Sequence, residues 1–97
     1  MKFTQDGNTL HIAGRFAMTD MDEFRGETDK LLRNNPDQDL IFEMKRCTFM
    51  NSIALGHILR VYKKLNENGH RLIIKNPSQE VKVYLEVTKV SSLVQIE

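Results

Sequence analysis

The chain has no tryptophan, one cysteine and two prolines among its 97 residues. The single cysteine, Cys47, excludes an internal disulfide. No apolar run approaches the ~20 residues needed to cross a bilayer, and the chain begins without the apolar segment of a secretion signal. The 14 Lys and Arg residues are balanced by 13 Asp and Glu residues, which argues against direct binding of nucleic acid or of an anionic membrane. We therefore expect a cytoplasmic protein that does not insert into a membrane.

The residue patterns of common catalytic sites are also missing. The histidines His11, His57 and His70 are scattered without the spacing of metal ligands. Neither a G-x-G-x-x-G sequence nor a P-loop is present, and no nucleophile stands beside a recognisable base. The sequence therefore predicts a protein that is not an enzyme and that uses no metal and no cofactor.

Short apolar runs alternate along the chain with segments of helical periodicity. Residues 6–8 form a turn cluster inside a predicted hairpin, and later apolar runs at 39–44, 71–75 and 93–96 are typical of strands. Helices placed between apolar strands indicate a mostly parallel sheet with an antiparallel edge. We predict one α/β domain over residues 1–97, with a mixed, mostly parallel sheet of four to five strands and three main helices.

Apolar residues at helical spacing define which face of each predicted helix is buried. In the second helix the spacings are i, i+4, i+7 and i+11, and the sequence Asn68-Gly69 is typical of a helix end. The predicted inward residues are Ala54, Ile58, Val61 and Leu65 in the second helix, and Val81, Tyr84, Leu85 and Thr88 in the third.

The unusual segment lies just before the second helix, where apolar Phe49 and Met50 precede Asn51, Ser52 and Ile53. In one interpretation, Asn51 or Ser52 caps the helix and an apolar neighbour packs against its first turn. In the other, Ser52 is a regulatory site. A phosphate there would add about −1.5 to −2 charges beside free helix amides, which tolerate an anion.

The stretch from Asp39 to Gly56 resembles the STAS domain of bacterial anti-sigma-factor antagonists, in which a buried strand leads through a serine-containing motif into the second helix. Further matches follow in the same order, and the resemblance covers nearly the whole chain, most weakly over residues 1–38. The matching segments are 62–65, 69–74, 76–81 and 85–88.

The resemblance implies a partner-switching protein. In that family, the serine matching Ser52 is phosphorylated by a partner that is both a serine kinase and an anti-sigma factor. The unphosphorylated form captures this partner, and a phosphatase resets the switch. The residues expected to contact the partner are Phe16, Ala17, Met18, Phe49, Met50, Asn51 and Ile53.

Two positions depart from the family pattern, because Asn51 stands where the family has an aspartate and Ala17 stands where an acid is common. Both changes remove negative charge near Ser52. They leave open an alternative function as an unswitched STAS interaction module, such as a scaffold or the small cytosolic subunit of a transport ATPase complex.

Overall fold

The computed structural model describes residues 1–97 as a mixed six-stranded sheet with three helices. Turns of 3₁₀ helix lie at Met18–Asp20 and Val90–Ser92. None of the helices is long and apolar enough to cross a bilayer. In chain order the elements are β1 (Lys2–Asp6), β2 (Thr9–Arg15), α1 (Met21–Asn34), β3 (Leu40–Glu43), β4 (Cys47–Phe49), α2 (Ser52–Glu67), β5 (Leu72–Lys75), α3 (Gln79–Val87) and β6 (Gln95–Ile96).

The strands lie in the order β1-β2-β3-β5-β6, and β4 pairs with β2 outside this path. Only the β1–β2 hairpin is antiparallel, while every other pairing is parallel. The predicted α/β class and the mostly parallel sheet are therefore confirmed. The sheet has one strand more than expected, because β4 is only 3 residues long and too short to show an alternating pattern.

Strand β2 changes its partner along its length. Residues 9–11 pair with β3, whereas Gly14 and Arg15 pair with Cys47 and Phe49 of β4, with a break in register between Gly14 and Arg15. Gly14 has a φ of +105°, and a Cβ there would lie 3.3 Å from the Cα of Met1. A larger residue would be strained at this position, so the change of partner requires glycine.

The helices cover one face of the sheet. Alternate strand residues are fully or almost fully buried, and they form one cluster with buried residues from all three helices. The residues between them, such as His11, Ile41 and Ile73, remain partly or fully exposed. The opposite face, here called the outer face, is therefore free of helices. The buried strand residues are Leu10, Ile12, Leu40, Phe42, Leu72 and Ile74.

The predicted buried face of α2 is confirmed, since Ala54, Ile58, Val61 and Leu65 are all buried. In α3 the buried face ends one turn earlier than predicted. Thr88 is exposed at the end of this helix, where its hydroxyl donates to the carbonyl of Tyr84 at 2.7 Å. The helix ends at Val87, so Thr88 is its C-cap residue, and its hydroxyl is directed to carbonyls of the last turn rather than into the core.

The final strand is shorter than the apolar run at 93–96 that predicted it. Residues 90–92 form a 3₁₀ turn after Lys89, which has a φ of +64°, and β6 is limited to Gln95 and Ile96. Leu93 remains 49% exposed. The turn explains the difference, because it carries the chain away from strand geometry until Gln95.

Replacing Ile58 by Asp should unfold the protein or severely destabilise it. Ile58 is 0% exposed within the core. Burying an unpaired carboxylate costs several kcal/mol, against a total stability of roughly 5–15 kcal/mol. Thermal melting followed by circular dichroism measures the effect. Lys63→Asp, on the exposed side of the same helix, is the control. A melting temperature for Ile58→Asp equal to that of Lys63→Asp would contradict the helix register.

Candidate functional site

The segment that leads into α2 is held against the end of β2. Arg15 pairs with Phe49 in the parallel β2–β4 ladder, and the amide of Phe16 donates to the carbonyl of Phe49 at 3.2 Å. The chain then continues from Phe16 into the 3₁₀ turn and from Phe49 into α2. Residues 16–18 and 49–53 therefore lie at the same end of the sheet, as the sequence interpretation required.

Asn51, rather than Ser52, caps α2. Its backbone is extended, with φ −109° and ψ 171°, and its Oδ1 accepts a hydrogen bond from the amide of Ala54 at 2.7 Å. Ser52 is the first helical residue, and its side chain is exposed. The amides of Ser52 and Ile53 have no intrahelical acceptor at these positions. The structure thus places an exposed hydroxyl beside the positive end of a helix.

Two residues expected on the partner surface belong to the core. Phe16 is 2% exposed and Met50 is 5% exposed. The ring of Phe16 lies 4.9 Å from that of Phe24, measured between ring centroids. The expectation that their side chains line the surface is wrong, because both fill the space between the sheet and the helices. Their effect on a partner can only be indirect, through the position of the backbone.

The remaining expected residues are accessible to different degrees. Met18 is 65% exposed and Ile53 is 39% exposed, Ala17 is exposed, and Phe49 and Asn51 are half-buried. These residues, with the exposed serine, are called the α2 surface below: Ala17, Met18, Phe49, Asn51, Ser52 and Ile53.

Arg15 is a member of this site that the sequence interpretation missed. Its guanidinium carbon lies 4.1 Å from the centroid of the Phe49 ring, a cation–π arrangement. The side chain is exposed and forms no ion pair with a carboxylate. Sequence analysis could have found this contact only through the β2–β4 pairing. That pairing cannot be recognised unless residues 47–49 are first identified as a strand.

Asp20 is the only acidic residue in the 3₁₀ turn at this site, and its carboxylate stabilises the turn. Asp20 Oδ2 accepts a hydrogen bond from the amide of Ala17 at 2.7 Å, and the amide of Asp20 donates to the carbonyl of Ala17 at 3.0 Å. Asp20 therefore closes the turn on itself. With Asn51 and Ala17 both uncharged, the α2 surface itself carries no carboxylate.

Cys47 is unsuited to chemistry at this site. It is 0% exposed, and burial raises its thiol pKa to about 11, although a backbone hydrogen bond with Phe49 opposes the shift. The thiol donates to the carbonyl of Phe49 at 3.6 Å. A thiol is nucleophilic only as its thiolate. Cys47 therefore belongs to the packing of β4, and no three His, Cys, Asp or Glu residues gather into a metal-binding group.

A family model described as the STAS domain matches residues 1–97. The chain belongs to the STAS domain family. Among solved structures, this STAS domain is similar to the anti-sigma factor antagonist SpoIIAA in its unphosphorylated form. The sequences are 16% identical, the TM-score is 0.80, and the match covers 99% of this chain and 86% of that chain.

Two further structures give the same result. An anti-sigma-factor antagonist (STAS) domain protein from Planctomyces limnophilus is 13% identical, with a TM-score of 0.80 over 99% of this chain and 86% of that chain. SpoIIAA of Bacillus in its phosphorylated form is 16% identical, with a TM-score of 0.71 over 99% and 89%. At these identities the similarity establishes that the STAS domain has the fold of these proteins.

The cap of α2 should respond to substitution at Asn51. Asn51→Ala removes the acceptor for the Ala54 amide and should destabilise the STAS domain by about 1 kcal/mol, or roughly 4–8 °C in melting temperature. Asn51→Asp retains an acceptor and adds a charge that the helix dipole favours, so it should melt at or above wild type. Equal melting of all three proteins would contradict the cap.

The thiol of Cys47 should be unreactive in the folded protein. We expect Ellman's reagent to modify it only after unfolding in urea, because the native side chain is buried and its pKa of about 11 keeps it protonated near neutral pH. Free cysteine added at the same concentration is the reactivity control. Modification of the native protein at the rate of free cysteine would contradict this assignment.

Proposed function

We propose that this protein is a cytoplasmic partner-switching protein of the anti-sigma-factor antagonist type. It acts by binding rather than by catalysis. Its α2 surface binds a partner that is both a serine kinase and an anti-sigma factor, phosphorylation of Ser52 weakens this binding, and a phosphatase restores it. The observation that carries the proposal is the exposed hydroxyl of Ser52 at the first residue of α2.

A phosphate on Ser52 is compatible with the fold. The side chain is exposed, so the added group remains in water, and the free amides and dipole of α2 favour an anion by roughly 0.3–1 kcal/mol. Asn51 already satisfies the Ala54 amide, so the cap does not depend on the Ser52 hydroxyl. Arg15, which has no carboxylate partner, adds positive charge to the same end of the sheet.

The same phosphate is costly to a bound partner. Met18 and Ile53 expose apolar side chains whose burial would favour association. A partner that covers them must also remove water from any group on Ser52, and a phosphate carries about −1.5 to −2 charges near pH 7. Desolvation of such a group without compensating contacts is unfavourable. Affinity should therefore fall by about tenfold or more, which is at least about 1.4 kcal/mol.

The missing carboxylates affect how the partner recognises the site. Asn51 and Ala17 offer no negative charge, and the carboxylate of Asp20 is engaged by the amide of Ala17. A kinase must therefore recognise Ser52 mainly through shape and apolar contacts with Met18 and Ile53. In this proposal, the partner presents an apolar patch rather than a cluster of basic residues.

The absent charges also favour the second candidate, an unswitched STAS module that serves as a scaffold or as the small cytosolic subunit of a transport ATPase complex. In that case Asn51 and Ala17 belong to a surface for a permanently bound partner, and Ser52 is simply the first residue of a helix. The two candidates differ in one property, which is the response of binding to a charge at Ser52.

The test is affinity capture of partners from the native cell with wild type, Ser52→Ala and Ser52→Asp as baits. The captured partner is then purified for measurement of its Kd. We expect Ser52→Ala to retain it and Ser52→Asp to bind it at least tenfold more weakly. Both variants should melt close to wild type. Mass spectrometry of wild type should find phosphate on Ser52.

Ser92→Asp is the matched control, because Ser92 is also exposed and the substitution adds the same charge in the 3₁₀ turn at Val90–Ser92, outside the α2 surface. It should bind like wild type. Unchanged affinity of both Ser52 variants, with no phosphate on Ser52, would refute the switch and favour the permanently bound module. An equal loss with Ser92→Asp would indicate a general effect of charge.

A further inference from the structure

A cleft of about 400 Å³ lies on the outer face of the sheet, outside the α2 surface. It is placed where β2, β3 and β5 approach their carboxyl ends. In open α/β sheets, ligands often bind beyond the carboxyl ends of strands, and the volume is within the range of small-molecule sites. Its polar lining includes Lys2, Thr4, His11, Glu43, Lys45 and Arg46.

The cations of this cleft, called the basic cleft below, lack internal partners. Lys2, Lys45 and Arg46 form none of the ion pairs of the structure, and their side chains donate none of its internal hydrogen bonds. All three residues are exposed. Three unpaired cations facing one carboxylate give the cleft an excess of positive charge, although the chain as a whole carries a net charge of only +1.

The carboxylate of the basic cleft is already engaged. Glu43 Oε1 accepts a hydrogen bond from the amide of Lys45 at 3.0 Å, and Oε2 accepts one from Nδ2 of Asn76 at 3.1 Å. Glu43 thus ties the start of the 44–46 loop to the residue after β5. Each of its two oxygens accepts a hydrogen bond that helps to shape the rim, while the cationic side chains remain available to a ligand.

We propose that the basic cleft binds the phosphate group of a small anionic ligand. Lysine and arginine side chains are the usual donors to phosphate, and His11 can add a further donor. No Phe, Tyr or Trp side chain lines the cleft, and Ile12 and Ala13 are its only hydrophobic lining residues, so a polar ligand body fits it better than an apolar one. The chemistry therefore fits a phosphomonoester or diphosphate with a small polar body.

A second cleft of about 400 Å³ between α1 and α2 is less suited to an anion. Its Arg60 is paired with Asp29 at 2.9 Å. Apart from Arg25, its lining comes from the C-terminal halves of both helices and from residues that follow them, and the dipole at a helix C-terminus repels anions. Arg33 and Lys64 of this second cleft are exposed and provide a control with the same change of charge.

The test is a titration of ¹⁵N-labelled protein with pyrophosphate and with glycerol 2-phosphate, followed by NMR and calorimetry. We expect saturable shifts at the amides of His11, Arg46 and Asn76. The double variant Lys45→Gln/Arg46→Gln should bind at least tenfold more weakly. The control Arg33→Gln/Lys64→Gln should bind like wild type, and thermal melting checks that both variants are folded.

A parallel flotation assay with vesicles of phosphatidic acid in phosphatidylcholine separates the two sources of phosphate. Binding of the soluble phosphates without flotation identifies a free ligand. Flotation that the Lys45→Gln/Arg46→Gln variant loses and the control retains identifies a lipid headgroup. Absence of both saturable shifts and flotation, or an equal loss in the two double variants, overturns the proposal.

Discussion

The change of partner along β2 positions the candidate site. Gly14 adopts a φ of +105°, and its amide donates to the carbonyl of Arg46 at 2.8 Å. This bond directs the chain after β3 back to the end of β2, where β4 pairs. Without β4, the start of α2 would have no fixed relation to the 3₁₀ turn after Phe16. The α2 surface therefore depends on a backbone conformation that only glycine adopts readily.

Periodic patterns made most of the fold predictable from the sequence. The apolar residues of α2 recur along a helix of 16 residues, which is long enough for helical spacing to define its buried face. β4 could not be recognised in the same way, because its 3 residues contain too few alternations. Thr88 was misplaced for a related reason: it continues the α3 stripe in spacing, but the helix ends before its side chain reaches the core.

The candidate site was predictable in position but not in detail. The polar pair Asn51-Ser52 after an apolar segment indicates a helix start, and only the extended backbone of Asn51 and its bond to Ala54 decide which residue caps it. Phe16 and Met50 are apolar residues in segments that connect two elements. The sequence alone does not show whether such side chains are buried in the core or exposed to a partner. Their burial depends on the space between sheet and helices, a property of the tertiary structure.

The segment that leads into α2 is firmly anchored, and this anchoring limits how phosphorylation of Ser52 can act. Cys47 and Met50 are buried, the Phe16 amide is bonded to Phe49, and Asn51 caps α2. A modification shifts a conformational equilibrium only as far as its free energy differs between the two conformations. At Ser52 the group lies in water beside free helix amides, where it favours the conformation already present. The switch that we propose therefore acts through charge and desolvation at the surface, without rearrangement of the fold.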